Sequence, residues 1–145
     1  MHTLIYISKA VKPFPDDELL DLLSASRENN SESQLSGMLL YVKQSNPDGA
    51  VTGRFIQALE GEESDVAALY EIIKQDNRHK QVTLLHSGPI IDRSFATWTM
   101  GFRSLFEEEY LQIPGFIKLD GNFIKGKSML SLGVALNFLK TFYSI

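Results

Sequence analysis

The order in which short apolar runs alternate with amphipathic stretches is the feature that most constrains how this chain can fold. Runs rich in β-branched and aromatic residues predict strands at 4–7, 36–43, 54–60, within 82–91, and at 98–103. Apolar residues at helical spacing predict helices over 16–30 and 62–76. The resulting order of strand, helix, strand, strand, helix, strand predicts an α+β fold, a ferredoxin-like βαββαβ unit with an additional fifth strand. We expect an antiparallel sheet with both helices on one face.

The composition changes after Leu105, which predicts a second region. Residues 107–109 are acidic and predict a solvated turn, and prolines and glycines punctuate the stretch that follows. A terminal helix is predicted over 128–143, because apolar residues there fall on one stripe. The stripe consists of Met129, Leu132, Leu136, Leu139 and Tyr143. We expect residues 1–105 to form the binding domain and residues 106–145 a helical extension that packs on the free face of the sheet.

Composition and charge exclude several classes of protein. Cysteine is absent from all 145 residues, which removes disulfides, thiolate catalysis and cysteine-based zinc sites. The net charge of −4 disfavours nucleic acid as a partner, because phosphate binding needs a basic face. No apolar run is long enough to span a bilayer, and residues 1–10 lack the apolar core of a signal peptide, so we expect a cytoplasmic protein. His2, His79 and His86 lack metal-ligand spacing, so no metal site is expected.

Polar residues are predicted to converge among apolar side chains. The two-residue period of a strand places Tyr6 and Gln57 on inner faces, and helical spacing places Asn30 on the apolar stripe of the first helix. Trp98 and Met100 are predicted to share the inner face of the fifth strand. Singly, each of these is more common as a packing, edge or capping residue. Together they suggest a planar ligand rich in carbonyls and ring nitrogens, because an unpaired buried amide costs roughly 1–3 kcal/mol.

Six segments carry a resemblance to a known family. They are LIYIS at 4–8, NN at 29–30, LSGMLLY at 35–41, RFIQALEG at 54–61, DNRH at 76–79 and FATWTMGF at 95–102. They stand in the same order as in the BLUF family, the blue-light sensors that use FAD, and the chain resembles that family over about residues 3–105. The segment around Gln57 is fairly specific, and its combination with the DNRH and WTM pieces is highly specific.

The resemblance implies a non-covalent binding site for FAD within residues 1–105. The residues implied to bind it are Tyr6, Leu22, Asn30, Gln57 and Ile73 at the ring, with Asp76, Arg78 and His79 around the ring and its phosphate tail. In this picture Leu22 and Ile73 sandwich the ring, and Asn30 holds its pyrimidine side. FMN is a second candidate, because Ile72 stands where some members of the family carry an arginine near the tail.

The resemblance also implies a light-driven switch, and the lack of cysteine agrees with photochemistry that makes no covalent bond. Excited flavin takes an electron and then a proton from Tyr6, and Gln57 rotates or tautomerises, which leaves an altered hydrogen-bond pattern. Trp98 and Met100 would report this change from the fifth strand. We therefore expect a photoreceptor that is not an enzyme and that signals through an unidentified downstream protein or through its own oligomer.

Two alternatives stay open at this point. A flavin-free binding module could keep the same fold, although the intact Tyr6, Gln57 and Asn30 argue against it. An acylphosphatase-type hydrolase is disfavoured, because the loop over 10–15 holds no arginine to bind phosphate. The hairpin loop over 44–53 is longer than the usual turn of the BLUF family, and we expect it to be a surface elaboration.

Overall fold

The computed structural model of the chain describes residues 1–32, 34–96 and 100–113, together with Leu139. In chain order, the elements are β1 (His2–Ala10), α1 (Asp16–Glu32), β2 (Ser36–Ser45), β3 (Val51–Gly61), α2 (Glu63–Gln75), β4 (His79–Pro89), β5 (Gly101–Phe106) and α3 (Glu107–Leu111). The strands form one sheet in the order β4-β1-β3-β2-β5. This arrangement confirms the predicted α+β class and the ferredoxin-like order with one additional strand.

The direction of the fifth strand departs from the prediction of an antiparallel sheet. β1 pairs antiparallel with β3 and with β4, and β2 pairs antiparallel with β3. β5 instead pairs parallel with β2, so the sheet is mixed. The connection from β4 to β5 stays at one end of the sheet and joins its two edges. β5 therefore runs opposite to β4 and in the same direction as β2.

Strand pairing also extends or shifts two strands relative to the prediction. β5 begins at Gly101 and not at 98, so Met100 precedes the strand, and Trp98 lies outside the described residues. The ladder between β2 and β3 continues to the pair of Ser45 with Val51. Only residues 46–50 remain as a turn, so half of the predicted loop over 44–53 is part of the sheet. Cross-strand partners supply the backbone hydrogen bonds that keep these polar residues in the ladder.

The helices differ from the prediction in two places. α1 continues to Glu32 instead of ending at Asn30. The acidic residues 107–109 form the first turn of α3 instead of a turn outside a helix, and Glu108 and Glu109 are exposed, as predicted. Their negative charge is stabilised by the positive end of the helix dipole. None of the helices in the described ranges combines the length and the apolar composition that crossing a membrane requires.

The sheet separates two apolar clusters. The near-face cluster lies under α1 and α2 and includes Leu4, Tyr6, Leu19, Leu39, Phe55, Leu59, Val66 and Met100, with Leu22, Leu69, Tyr70, Ile73 and Phe102 packed against them. The far-face cluster lies on the opposite side and consists of Ile5, Ile7, Met38, Leu40, Val42, Ile56, Ala58, Leu85, Phe95, Leu105, Tyr110 and Leu139. Alternation along each strand produces this division. Apart from the fully buried Leu139, the helix predicted over 128–143 lies outside the described residues.

We predict that Gly37→Ala strongly destabilises the protein. A Cβ atom on Gly37 would lie 2.0 Å from the carbonyl oxygen of Ala58, in the backbone of the neighbouring strand. Because a paired strand cannot easily move, we expect the free energy of unfolding in urea to fall by about 2–3 kcal/mol. Gly49→Asn is the control, because a Cβ there meets nothing within 4 Å and asparagine tolerates its φ of +86°. An equal loss in both variants would contradict the prediction.

Candidate functional site

A groove opens between α1 and α2 above the near face of the sheet. It encloses about 830 Å³ of empty space, part of it open to solvent. Leu22 of α1 forms one apolar wall, and Leu69 and Ile73 of α2 form the other, while Leu39 and Phe55 belong to the floor. A cleft with apolar walls and a few polar groups is typical of a small-molecule site, and two facing walls suit a flat ring.

The main polar feature of the groove is a hydrogen bond between neighbouring strands. Tyr6 of β1 stands opposite Gln57 of β3 in the antiparallel register, and both side chains face the near side. The Tyr6 hydroxyl donates to Oε1 of Gln57, and Nε2 of Gln57 donates to the sulfur of Met100 at 3.4 Å. Tyr6 is 3% exposed and Gln57 is 6% exposed. A thioether only accepts, so this orientation of the amide is the one that satisfies both neighbours.

Burial keeps the Tyr6 phenol protonated. Loss of solvation raises the pKa of Tyr6 far above its ordinary value of 10.0, and the electrostatic effects of Tyr70 and Asp76 act in the same direction. The Tyr70 ring lies 5.8 Å from the Tyr6 ring, and burial also raises the pKa of Tyr70. At neutral pH the Tyr6 side chain is therefore a neutral hydrogen-bond donor with a proton to lose.

His79 connects the floor of the groove to α2. One ring nitrogen, Nε2, lies 2.6 Å from the Ile73 carbonyl oxygen, and Nδ1 lies 2.7 Å from Oγ of Ser8. Because a carbonyl only accepts, Nε2 carries the proton, and in the neutral ring Nδ1 accepts from the Ser8 hydroxyl. The ring also meets Tyr6 edge-on at 6.1 Å between centroids. Through these contacts, His79 joins β4 to α2 next to Tyr6.

An ion pair lies at the rim of the groove. The Arg78 guanidinium donates from Nε to both carboxylate oxygens of Asp76, at 2.9 and 3.0 Å. The Asp76 carboxylate also accepts the Arg78 backbone N–H at 2.9 Å. The side-chain hydrogen bond from Arg78 holds the pKa of Asp76 below its usual value. Since Asp76 balances the charge of Arg78, the rim has no strong net charge from this pair.

The structure brings together most of the residues that the sequence singled out. Those lining the groove are Tyr6, Leu22, Gln57, Ile73, Asp76, Arg78 and His79, and Met100 contacts Gln57 from the side. Asn30 belongs to α1, but its side chain lies outside the described part of the structure, as does all of Trp98. The roles of these residues toward a flavin are therefore taken up as a proposal below.

Sequence reasoning missed several residues of the site. These are Ala25, Leu39, Phe55 and Leu69 in the groove lining, and Arg27 beside it. Leu69 stands one helical turn before Ile73, so helical spacing could have identified it. Arg27 donates from Nε to the Met100 carbonyl oxygen at 3.0 Å. No pattern in the sequence signals this contact, because a backbone carbonyl accepts irrespective of its side chain.

Comparison with known proteins identifies the family. A family model described as "BLUF: Sensors of blue-light using FAD" matches residues 1–101. The photoactivated adenylate cyclase subunit beta of Euglena longa is 35% identical over 99 residues, which are 68% of this chain and 10% of that protein. The chain thus spans about a tenth of the length of the curated relatives it matches.

Solved structures show the same fold. The photo-activated state of BlsA superposes with a TM-score of 0.68 and 26% identity, over 98% of this chain and 94% of that one. The dark-state structure of BlrB, described as a BLUF protein, superposes with a TM-score of 0.70 over 99% of this chain and 96% of that one. Its 22% identity supports similarity of fold alone.

We predict that Tyr6→Phe changes how stability depends on pH. Because the pKa of Tyr6 is raised on folding, its contribution to stability is complete below pH 10 and is lost as the pH rises further. Urea unfolding from about pH 10 to 11 should therefore show a steeper loss of stability in the wild type, by up to about 1.4 kcal/mol per pH unit. Equal slopes in the two proteins would mean that the phenol ionises normally.

Proposed function

Because the chain belongs to the BLUF family, we propose that it is a blue-light photoreceptor that binds FAD without a covalent bond and switches through Tyr6 and Gln57. The observation that carries the proposal is the buried hydrogen bond between these two side chains, at the floor of a groove with apolar walls. A flavin-free binding module would gain nothing from a buried amide beside an open cleft, because a hydrophobic residue there costs less to bury.

The residues of the groove fit a flavin. Leu22 on one side and Leu69 and Ile73 on the other would hold the flat ring between them. Tyr6 and Gln57 would face its polar edge, and we assign the pyrimidine side to Asn30, as the family resemblance implies. Asp76, Arg78 and His79 would lie around the ring and the tail. Ile72 is 68% exposed in the groove lining and offers no charge to a phosphate, so FMN is expected to bind as well.

Tyr6 would act as the electron and proton donor. A bound flavin would supply the chromophore for blue light and the acceptor for the electron and the proton. The raised pKa of Tyr6 means that the phenol is protonated at neutral pH, so its oxidation requires that the proton also leave. That proton lies in the hydrogen bond to Oε1 of Gln57, so Oε1 would receive it while the amide NH₂ group gives one of its protons to the flavin. The return of the electron and a proton to Tyr6 would complete the cycle and leave the amide in its altered state.

Gln57 would store the light signal as a change of hydrogen-bond pattern. Its amide has a donor end and an acceptor end, so a half-turn of the side chain exchanges the two. In the present orientation Nε2 donates to the Met100 sulfur. After a half-turn, Oε1 would face that sulfur without a donor between them, which makes the turned state higher in free energy. Such a state can form in the light and decay in the dark.

The output would leave the site through contacts with another protein or with a second copy of the chain. The family match ends at residue 101, and we propose that residues 106–145 form a helical extension on the far face of the sheet. Leu139 supports this, because it is fully buried in the far-face cluster. We propose that this chain is a sensor without catalytic activity, and that it acts in the cytoplasm.

We predict that the purified protein is yellow and releases FAD when it is denatured. Leu22→Trp should abolish flavin binding while the circular dichroism spectrum stays native, because the larger ring fills the groove from α1. Leu20→Trp is the matched control, since Leu20 lies on the same helix and is 59% exposed. Failure of the wild type to take up flavin after reconstitution with excess FAD would reject the proposal.

We predict that blue light shifts the flavin absorption reversibly to longer wavelength. Gln57→Leu and Tyr6→Phe should both bind flavin and lose the shift, because one lacks the amide and the other the donor hydroxyl. Tyr70→Phe is the matched control: it removes a hydroxyl from a half-buried ring 5.8 Å from Tyr6 and should keep the shift. A normal photocycle in Tyr6→Phe would show that the donor is assigned to the wrong residue.

A further inference from the structure

The connection between β4 and β5 passes a buried carboxylate at the end of the sheet. β4 and β5 are the two edge strands, so this connection crosses the ends of the strands between them. Glu60 lies at that end of β3, three residues after Gln57, and its side chain is fully buried. Because odd and even positions alternate, Glu60 faces the far side while Gln57 faces the groove.

Three donors converge on the Glu60 carboxylate. Oε2 accepts the backbone N–H of Ser94 at 2.8 Å, and Oε1 accepts the backbone N–H of Phe95 at 2.6 Å. The Ser36 hydroxyl, at the start of β2, donates to Oε1 at 2.9 Å. Each of the two side-chain oxygens accepts from a backbone N–H. A carboxylate has two accepting oxygens, whereas an amide has only one. The connection is therefore anchored by charge-assisted hydrogen bonds.

Arg93 strengthens the same anchor without touching the carboxylate in any described contact. Its guanidinium donates to the Ser36 hydroxyl at 2.7 Å, to the Glu60 backbone oxygen at 3.2 Å and to the Gln34 backbone oxygen at 2.6 Å. The Ser36 hydroxyl thus accepts from Arg93 while it donates to Glu60. Residues 93–95 are held to the ends of both β2 and β3.

The anchored residues lead directly to the groove. Phe95 is fully buried in the far-face cluster, whereas Met100, five residues later, is buried in the near-face cluster. Phe95 and Met100 therefore lie on opposite sides of the sheet. Met100 then accepts from the Gln57 amide through its sulfur and from Arg27 through its carbonyl oxygen. One end of the segment is fixed by Glu60, and the other end contacts the switch.

We propose that Glu60 is a positioning residue of the light switch. By holding Ser94 and Phe95, it fixes the start of the segment that presents the Met100 sulfur to Gln57, and so favours the dark-state amide orientation. Because the same hydrogen bonds hold Phe95, a change at Met100 would also act on the Phe95 ring in the far-face cluster. This inference rests on the proposed photoreceptor function, because it assigns Glu60 a role in that photocycle.

The test is Glu60→Gln, which keeps the shape of the side chain but sets an NH₂ group against a backbone N–H. In flavin-free protein, hydrogen exchange at the amides of Ser94 and Phe95 should become about tenfold faster, the equivalent of one charge-assisted hydrogen bond. In flavin-loaded protein, the return from the lit to the dark state should slow by about threefold to tenfold, because the Gln57–Met100 contact that it restores is weakened. The light-dark difference in the Met100 methyl NMR signal should also shrink.

Two further variants make the result specific. Glu62→Gln is the control, since Glu62 is exposed and its side chain makes no cap hydrogen bond, and it should leave all three measurements unchanged. Arg93 is half-buried, and Arg93→Gln should weaken the hydrogen bonds that help to hold the same residues. It should slow recovery in the same direction, so the inference stays testable if Glu60→Gln does not fold.

The outcomes separate the two levels of the proposal. A wild type that binds flavin but shows no photocycle would overturn the proposed function, and the positioning role with it. A normal wild-type photocycle, with unchanged recovery and an unchanged Met100 signal in Glu60→Gln and Arg93→Gln, would overturn the positioning role alone. Faster exchange without altered recovery would likewise leave Glu60 as a purely structural anchor and reject the inference.

Discussion

The hydrogen bond between Tyr6 and Gln57 is the interaction on which the rest of this structure depends. It joins opposite residues of the two central antiparallel strands, at a depth where both side chains are almost free of water. In that environment an unmade hydrogen bond is costly, so a change at the amide has an energetic consequence for its neighbours. The apolar walls of α1 and α2 are needed for the same reason, because they keep water from satisfying the pair.

Under the proposed function, a change at Gln57 would have a route to the other side of the molecule through the connection between β4 and β5. Met100 contacts Gln57 in the near-face cluster, and Phe95 packs in the far-face cluster on the same connection. Glu60 holds that connection where it passes the end of β3. Packed clusters have discrete arrangements and deform little, so a connection anchored at one end and in contact with the proposed switch at the other is suited to transmit a change.

The sequence predicted which strands and helices form better than it predicted where they begin and end. Alternation placed Tyr6 and Gln57 on inner faces, because this pattern records burial directly. The positions of Leu22 and Ile73 at the site were implied by the resemblance to the BLUF family. The start of β5 was misplaced, because its position depends on pairing Met38 of β2 with Gly101, a contact between distant parts of the chain. The long hairpin ladder was missed for the same reason, since polar strand residues are held by their partners across the ladder.

What the sequence determined by itself is the order of strands and helices, the face on which Tyr6 and Gln57 lie, and the chemistry open to a chain without cysteine. These follow from local periodicity and residue type, which need no knowledge of distant contacts. Only the tertiary structure decided that β5 lies parallel to β2, that Arg27 holds the Met100 carbonyl, and that Glu60 captures the backbone of residues 94 and 95. Each of these contacts joins residues far apart in the chain through backbone groups. Because every residue carries nearly the same backbone groups, no pattern of side chains predicts these contacts.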